Sequence, residues 1–147
     1  MKNVALKLFV AAVLFATTAF VSAKEEVPYT EGPVLELSYI KVKPGMFDAY
    51  MEYLSTTWKD LNAELKKSGI IMDAKIYSCQ ARNPHEADLV LAITYKNMAA
   101  LDGLEERSSA AMEKFWSTRQ KSNEASISRE SMREILGSEY VRELGLK

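Results

Sequence analysis

Apolar and polar residues alternate along residues 34–42, with Leu35, Leu37 and Tyr39 on one side and Glu36, Ser38 and Ile40 on the other. A period of two predicts a strand. Lys43-Pro44-Gly45 turns the chain, and from Met46 the period changes. Phe47, Tyr50, Leu54, Trp58, Leu61 and Leu65 recur at steps of three and four, the apolar stripe of an amphipathic helix. Asp48, Glu52, Lys59, Asp60, Glu64 and Lys66 fill the remainder. A basic last turn, Lys66-Lys67, and a left-handed cap at Gly69 end it. The same succession then recurs. Residues 88–95 alternate, with Leu89, Leu91, Ile93 and Tyr95 on one face and Asp88, Val90, Ala92 and Thr94 on the other. After a short turn, Asn97 caps a helix from Met98. Gly103 predicts a break over 103–109, with helix resuming through Met112, Phe115 and Trp116.

Between the two units lies a further strand, 70–79, in which Met72, Ala74 and Ile76 alternate with Asp73, Lys75 and Tyr77. Residues 80–86, with Asn83-Pro84, form the loop of a wide hairpin. Residues 121–126 are polar and predicted loose. Ser128 caps a short helix through Met132, Ile135 and Leu136, stopped by Gly137, and 139–144 closes the sheet. The order is the split βαβ of an α+β, ferredoxin-like βαββαβ fold, a four-stranded antiparallel sheet. Right-handed crossovers place the helices on one face. The other face is left bare, a large surface to leave uncovered if apolar, and pairing with a second copy is expected.

The chain's first residues stand apart from this pattern. Lys2 and Lys7 accompany an uncharged apolar run over 8–20, and Val21-Ser22-Ala23 offers the small residues a signal peptidase reads. The run is shorter than the ~20 residues of a membrane span. Residues 1–23 read as a secretory signal, 24–32 as a polar linker and 33–147 as one domain. The expected location is exported, periplasmic or secreted, with no membrane association after cleavage. Cleavage takes two lysines and no acid from a chain of net charge −1, leaving about −3. Such a balance offers nucleic acid no basic surface. The single cysteine, Cys79, excludes an internal disulfide and, at a strand end, is expected to be buried.

Candidate chemistry is sparse. His85 has no second histidine or cysteine at metal-ligand spacing and reads as an exposed loop residue, so no metal and no cofactor is expected. Glu36, Ser38, Asp73, Lys75, Tyr77 and Thr94 are expected to share one sheet face. There they make either a polar dimer interface or a lumen for a polar ligand, with Glu36 and Lys75 paired or wet because lone buried charges are costly. Tyr39, Trp58 and Tyr95 read either as core or as the wall of a pocket between sheet and helices. Arg129 and Arg133, four apart on one helix face, either hold a carboxylate or phosphate or pair with Glu130 and Glu134. Neither a nucleophile elbow nor a Gly-rich phosphate loop occurs.

Tyr39-Ile40-Lys41-Val42-Lys43-Pro44-Gly45, Asp48-Ala49-Tyr50 and Tyr95-Lys96-Asn97 resemble the dimeric α/β-barrel superfamily. That group includes antibiotic-biosynthesis-type and haem-degrading monooxygenases and small exported proteins. The resemblance spans about 34–107 and implies two ferredoxin-like sheets paired bare face to bare face. The Asn, Trp and His set of the haem-degrading members does not carry over. His85 lies in the hairpin loop, and Ser38 or Ile40 stands where an Asn is expected. The reading is an exported homodimer that binds a small organic molecule. Its candidate contacts are Tyr39, Trp58, Tyr95, Glu36, Lys75 and Tyr77. The alternatives are a cofactor-free monooxygenase on an aromatic or quinone-like substrate, and an interaction module without a ligand.

Overall fold

The computed structural model describes residues 26–147; the expected signal at 1–23 lies outside them. Four strands, β1 (Tyr29–Val42), β2 (Asp73–Ser78), β3 (Leu89–Tyr95) and β4 (Arg133–Leu146), form one sheet in the order β2-β3-β1-β4. Every neighbouring pair is antiparallel. With its helical crossovers this arrangement fits a ferredoxin-like fold.

The first crossover is α1 (Phe47–Tyr53), a π-helical turn (Leu54–Trp58) and α2 (Lys59–Lys67), running without a gap. Gly45, at φ 76°, takes the left-handed turn that lets it start directly after β1. The second crossover is a short 3₁₀ turn (Met98–Leu101), α3 (Leu104–Trp116) and α4 (Arg119–Met132). Asn97 caps the 3₁₀ turn as expected, its side chain accepting from the Ala100 amide at 3.0 Å.

Three stretches depart from the sequence reading. The expected break over 103–109 is confined to Asp102-Gly103, and Ser108 and Ser109 are helical. Their hydroxyls donate to the carbonyls of Glu105 and Glu106, a bond that lets serine sit inside a helix. The polar stretch 121–126 is not loose but lies within α4, whose cap is Thr118 rather than Ser128. Ile135, Leu136 and Gly137 belong to β4, not to a helix, because Ile135 pairs with Ile40 and Gly137 with Tyr39. Leu136 bulges out between those pairs. Strand β1 also starts earlier than expected, at Tyr29, since Tyr29–Glu31 pair with Leu144–Leu146.

Register assigns the faces. Val34, Glu36, Ser38, Ile40 and Val42 of β1 stand with Leu89, Leu91, Ile93 and Tyr95 of β3, and Ala74 and Ile76 of β2, beneath the helices. The core lies here: Ile40, Val42, Leu89 and Leu91 meet Tyr50, Leu54 and Met132. Burying each large apolar side chain in this layer contributes about 1.5–3 kcal/mol. The opposite face carries Leu35, Leu37, Tyr39, Val90, Ala92 and Thr94, flanked by Asp73, Lys75 and Tyr77 of β2. No helix among the described residues lies over it.

Candidate functional site

The inner face of β1 is apolar at both ends and polar in the middle. Val34, Ile40 and Val42 are buried, while Glu36 and Ser38 lie between them. Beside these two stand Ile93 and Leu91 of β3, and Tyr140 and Ser138 of β4. The helical layer brings Tyr50, Tyr53 and Trp58, and the α4–β4 junction brings Arg129 and Arg133. These side chains, with Ile135, line a cavity of about 150 Å³ that opens to solvent.

Local structure explains how they converge. Tyr50 and Tyr53 are one helical turn apart, and their rings stack at 6.1 Å between centroids with planes 8° apart. Arg129 lies in the last turn of α4. Arg133 is not on that helix, as its spacing suggested. It is the first residue of β4 and faces inward opposite Val42. The Arg129 guanidinium carbon lies 5.8 Å from the Tyr53 ring centroid, and its Nη1 donates to the Tyr53 hydroxyl at 3.1 Å. Arg133 sits over Tyr50 at the same 5.8 Å. Cation–π contacts of this kind contribute about 0.5–2 kcal/mol.

The expected pairing of these arginines with Glu130 and Glu134 does not form: neither arginine has a salt bridge among the described residues. Their Nε atoms are shielded from solvent and have no acceptor. The Tyr50 hydroxyl is likewise shielded, with no partner at hydrogen-bond distance among the described residues and the Arg133 guanidinium nearby. Burial raises the Tyr50 phenol above its ordinary pKa, while the charge on Arg133 pulls it back. On the sheet side, Glu36 Oε2 accepts from the Tyr95 hydroxyl at 2.9 Å. Burial first, and the Glu36 carboxylate second, hold the Tyr95 phenol far above its usual pKa. Burial and Glu36 also raise that of Tyr140.

Of the six residues expected to contact a ligand, Glu36 and Trp58 line this cavity. Tyr95 shares their face and reaches them through its bond to Glu36. Tyr39, Lys75 and Tyr77 are on the other side of the sheet. The single polar face expected from Glu36, Ser38, Asp73, Lys75, Tyr77 and Thr94 is therefore two faces. The alternation within each strand is as read; the relative register between strands is what sorts them. Lys75 pairs with Asp73 at 3.4 Å, not with Glu36. Tyr39 donates to Glu139 at 2.6 Å, a bond that raises its phenol pKa. His85 is exposed in the hairpin loop, where its amide donates to Asn83 Oδ1. Cys79 is half-buried rather than buried.

Two aromatic lining residues escaped the sequence reading as site residues, Tyr50 and Tyr53. Tyr50 falls on the helix stripe and looks like ordinary core. Tyr53 falls beside that stripe, and an aromatic pair one turn apart was its visible signal. The assembled cavity offers two cations, one carboxylate and aromatic walls. Among the described residues no group of three or more His, Cys, Asp or Glu could hold a metal ion.

No known family profile matches the chain, and no curated protein matches it. The crystal structure of HapK from Hahella chejuensis is similar in fold, with a TM-score of 0.52 at 14% identity. The likeness covers 78% of this chain and 95% of that one. At this identity it shows the fold alone.

Proposed function

We propose that this chain is an exported, paired protein that binds a small organic molecule between its sheet and its helices. The observation that carries the reading is the lining of the cavity. A space built only for packing is filled by apolar side chains. Here Glu36, Arg129 and Arg133 line it beside Tyr50, Tyr53 and Trp58, and neither arginine has an ion pair among the described residues. A partly buried charge without a counter-charge is costly, and a ligand of opposite charge offsets that cost. The volume suits a small occupant: a cavity of roughly 150 Å³ in an engineered protein admits benzene.

The same reading joins two copies through the open sheet face. Leu35, Leu37, Val90 and Ala92 make its apolar centre, and Asp73, Lys75, Tyr39 and Tyr77 border it. An apolar centre with a polar rim is the ordinary composition of a protein interface. In this arrangement Tyr39, Lys75 and Tyr77 become contacts between subunits.

Native mass spectrometry of the protein purified from its own host without a denaturing step tests the ligand. A small-molecule adduct is expected on the native protein. It is expected to be absent from folded Ser38→Leu, in which the added side chain fills the cavity. An adduct that survives the substitution, or none on the native protein, overturns the reading.

A further inference from the structure

Arg129 and Arg133, with Ile135, form the part of the cavity wall that also borders an outer depression of about 470 Å³. They are thus a threshold between solvent and the inner space. Nothing negative satisfies them there. Glu130 and Glu134 line the outer depression, yet neither forms a salt bridge with either arginine. Two guanidiniums on one wall repel each other, and neither has a carboxylate partner among the described residues. A planar guanidinium presents paired N–H groups that bind a carboxylate through two parallel hydrogen bonds. Deeper in, the walls are aromatic: Tyr50, Tyr53 and Trp58, above Leu91 and Ile93. The charge balance of the lining is two cations against Glu36, an excess of one positive charge.

We infer that the ligand is a single-ring aromatic carboxylate, its charged end on Arg129 and Arg133 and its ring directed inward against Tyr53 and Trp58. The inference rests on reading the cavity as a ligand site and adds the chemistry that fills it. A monoanion neutralises the excess charge, whereas a phosphate dianion overshoots it. One ring fits the volume, and stacking on aromatic walls favours a flat ring over a saturated one.

Calorimetric titration of the purified protein with benzoate, benzamide, phenyl phosphate and cyclohexanecarboxylate tests this. Benzoate is expected to bind one per chain, and each of the other three at least tenfold more weakly. Arg129→Gln and Arg133→Gln, confirmed folded by circular dichroism, are expected to abolish the preference for benzoate over benzamide. Arg133→Lys keeps the charge but loses the bidentate edge, and is expected to retain part of that preference. Benzamide binding as tightly as benzoate, with both lost in Ser38→Leu, overturns the carboxylate and leaves the cavity as a ligand site. An adduct on the protein from its own host without binding of any probe does the same. Absence of both the adduct and all binding overturns the inference together with the reading beneath it.

Discussion

The bond between Tyr95 and Glu36 holds a carboxylate on the covered side of the sheet, next to the cavity. Tyr95→Phe removes the only side-chain donor that reaches Glu36 among the described residues, and is expected to cost about 1–2 kcal/mol in urea unfolding at pH 7. The same residue contributes to the alkaline limb, as do the other raised phenols. In the unfolded chain the phenol ionises near 10, while the fold keeps it protonated to much higher pH. Below that value both states hold the proton and the contact contributes in full. Above it the unfolded chain releases a proton the folded one retains, so stability falls as pH rises. The decline from pH 10 upward is therefore expected to be shallower in Tyr95→Phe. Asp88 contributes to the acid limb with the opposite sign. Its carboxylate accepts from Lys41 Nζ at 2.8 Å and the Val42 amide at 2.9 Å, and the Lys41 bond leads in lowering its pKa. That contribution is present above the ordinary Asp value and fades as pH falls through the lowered one. Asp88→Asn is expected to lose about 1–2 kcal/mol at pH 7 and to flatten the dependence below pH 4, as followed by denaturant midpoints. Neither partnership was legible in the chain. Glu36 was visible as a polar residue in a strand, but its partner is 59 residues away and set by register.

At the scale of elements, the sequence was most informative where periodicity was strong. Strand β3 and the start of the first helix lie where alternation and the three-four stripe put them. The helix stripe drifts after the π-helical turn. That wider turn sets the following residues back in phase, so Asn62 is buried along with Leu61 while Leu65 is only partly covered. Asn62 spans the irregularity by donating from Nδ2 to the Trp58 carbonyl at 2.7 Å. A period of 3.6 cannot anticipate such a slip, and Trp58 owes its place over the cavity to the same segment. The first half of helix α4 was missed for a different reason, while its last turn falls in the expected helix after Ser128. Arg119-Gln120-Lys121-Ser122-Asn123-Glu124 has no apolar stripe, and its helical state is supported locally by a cap and by the Gln120–Glu124 bond. Thr118 Oγ1 accepts from the Lys121 amide at 3.2 Å. Thr118→Ala is expected to cost about 1 kcal/mol and to speed amide exchange in the first turn of α4, leaving the β3 amides protected. Because Arg129 sits in the last turn of this helix, the cap is a distant support for the cavity wall.

For the whole molecule the open sheet face decides the prediction. The split βαβ order was legible as a sequence of periods, and the bare face follows from it because both crossovers must lie on one side. What a single chain's alternation could not supply was which residues share that face, since strands of equal period can register in two ways. Register puts Leu37 opposite Ala92 on β3 and Glu139 on β4, near the middle of the bare side. Two copies related by a twofold axis would bring this patch against itself, so a charge introduced there is met by its own copy. Light scattering at micromolar concentration is expected to give twice the chain mass for the native protein and the single-chain mass for Leu37→Lys. The substitution lies across the sheet from Ile40, Tyr50 and Leu54, so far-ultraviolet dichroism and the benzoate titration are expected to be preserved. A native protein of single-chain mass rejects the pairing outright. Loss of benzoate binding together with pairing would instead mean that the second copy holds the helical wall in place, making the cavity a property of the dimer.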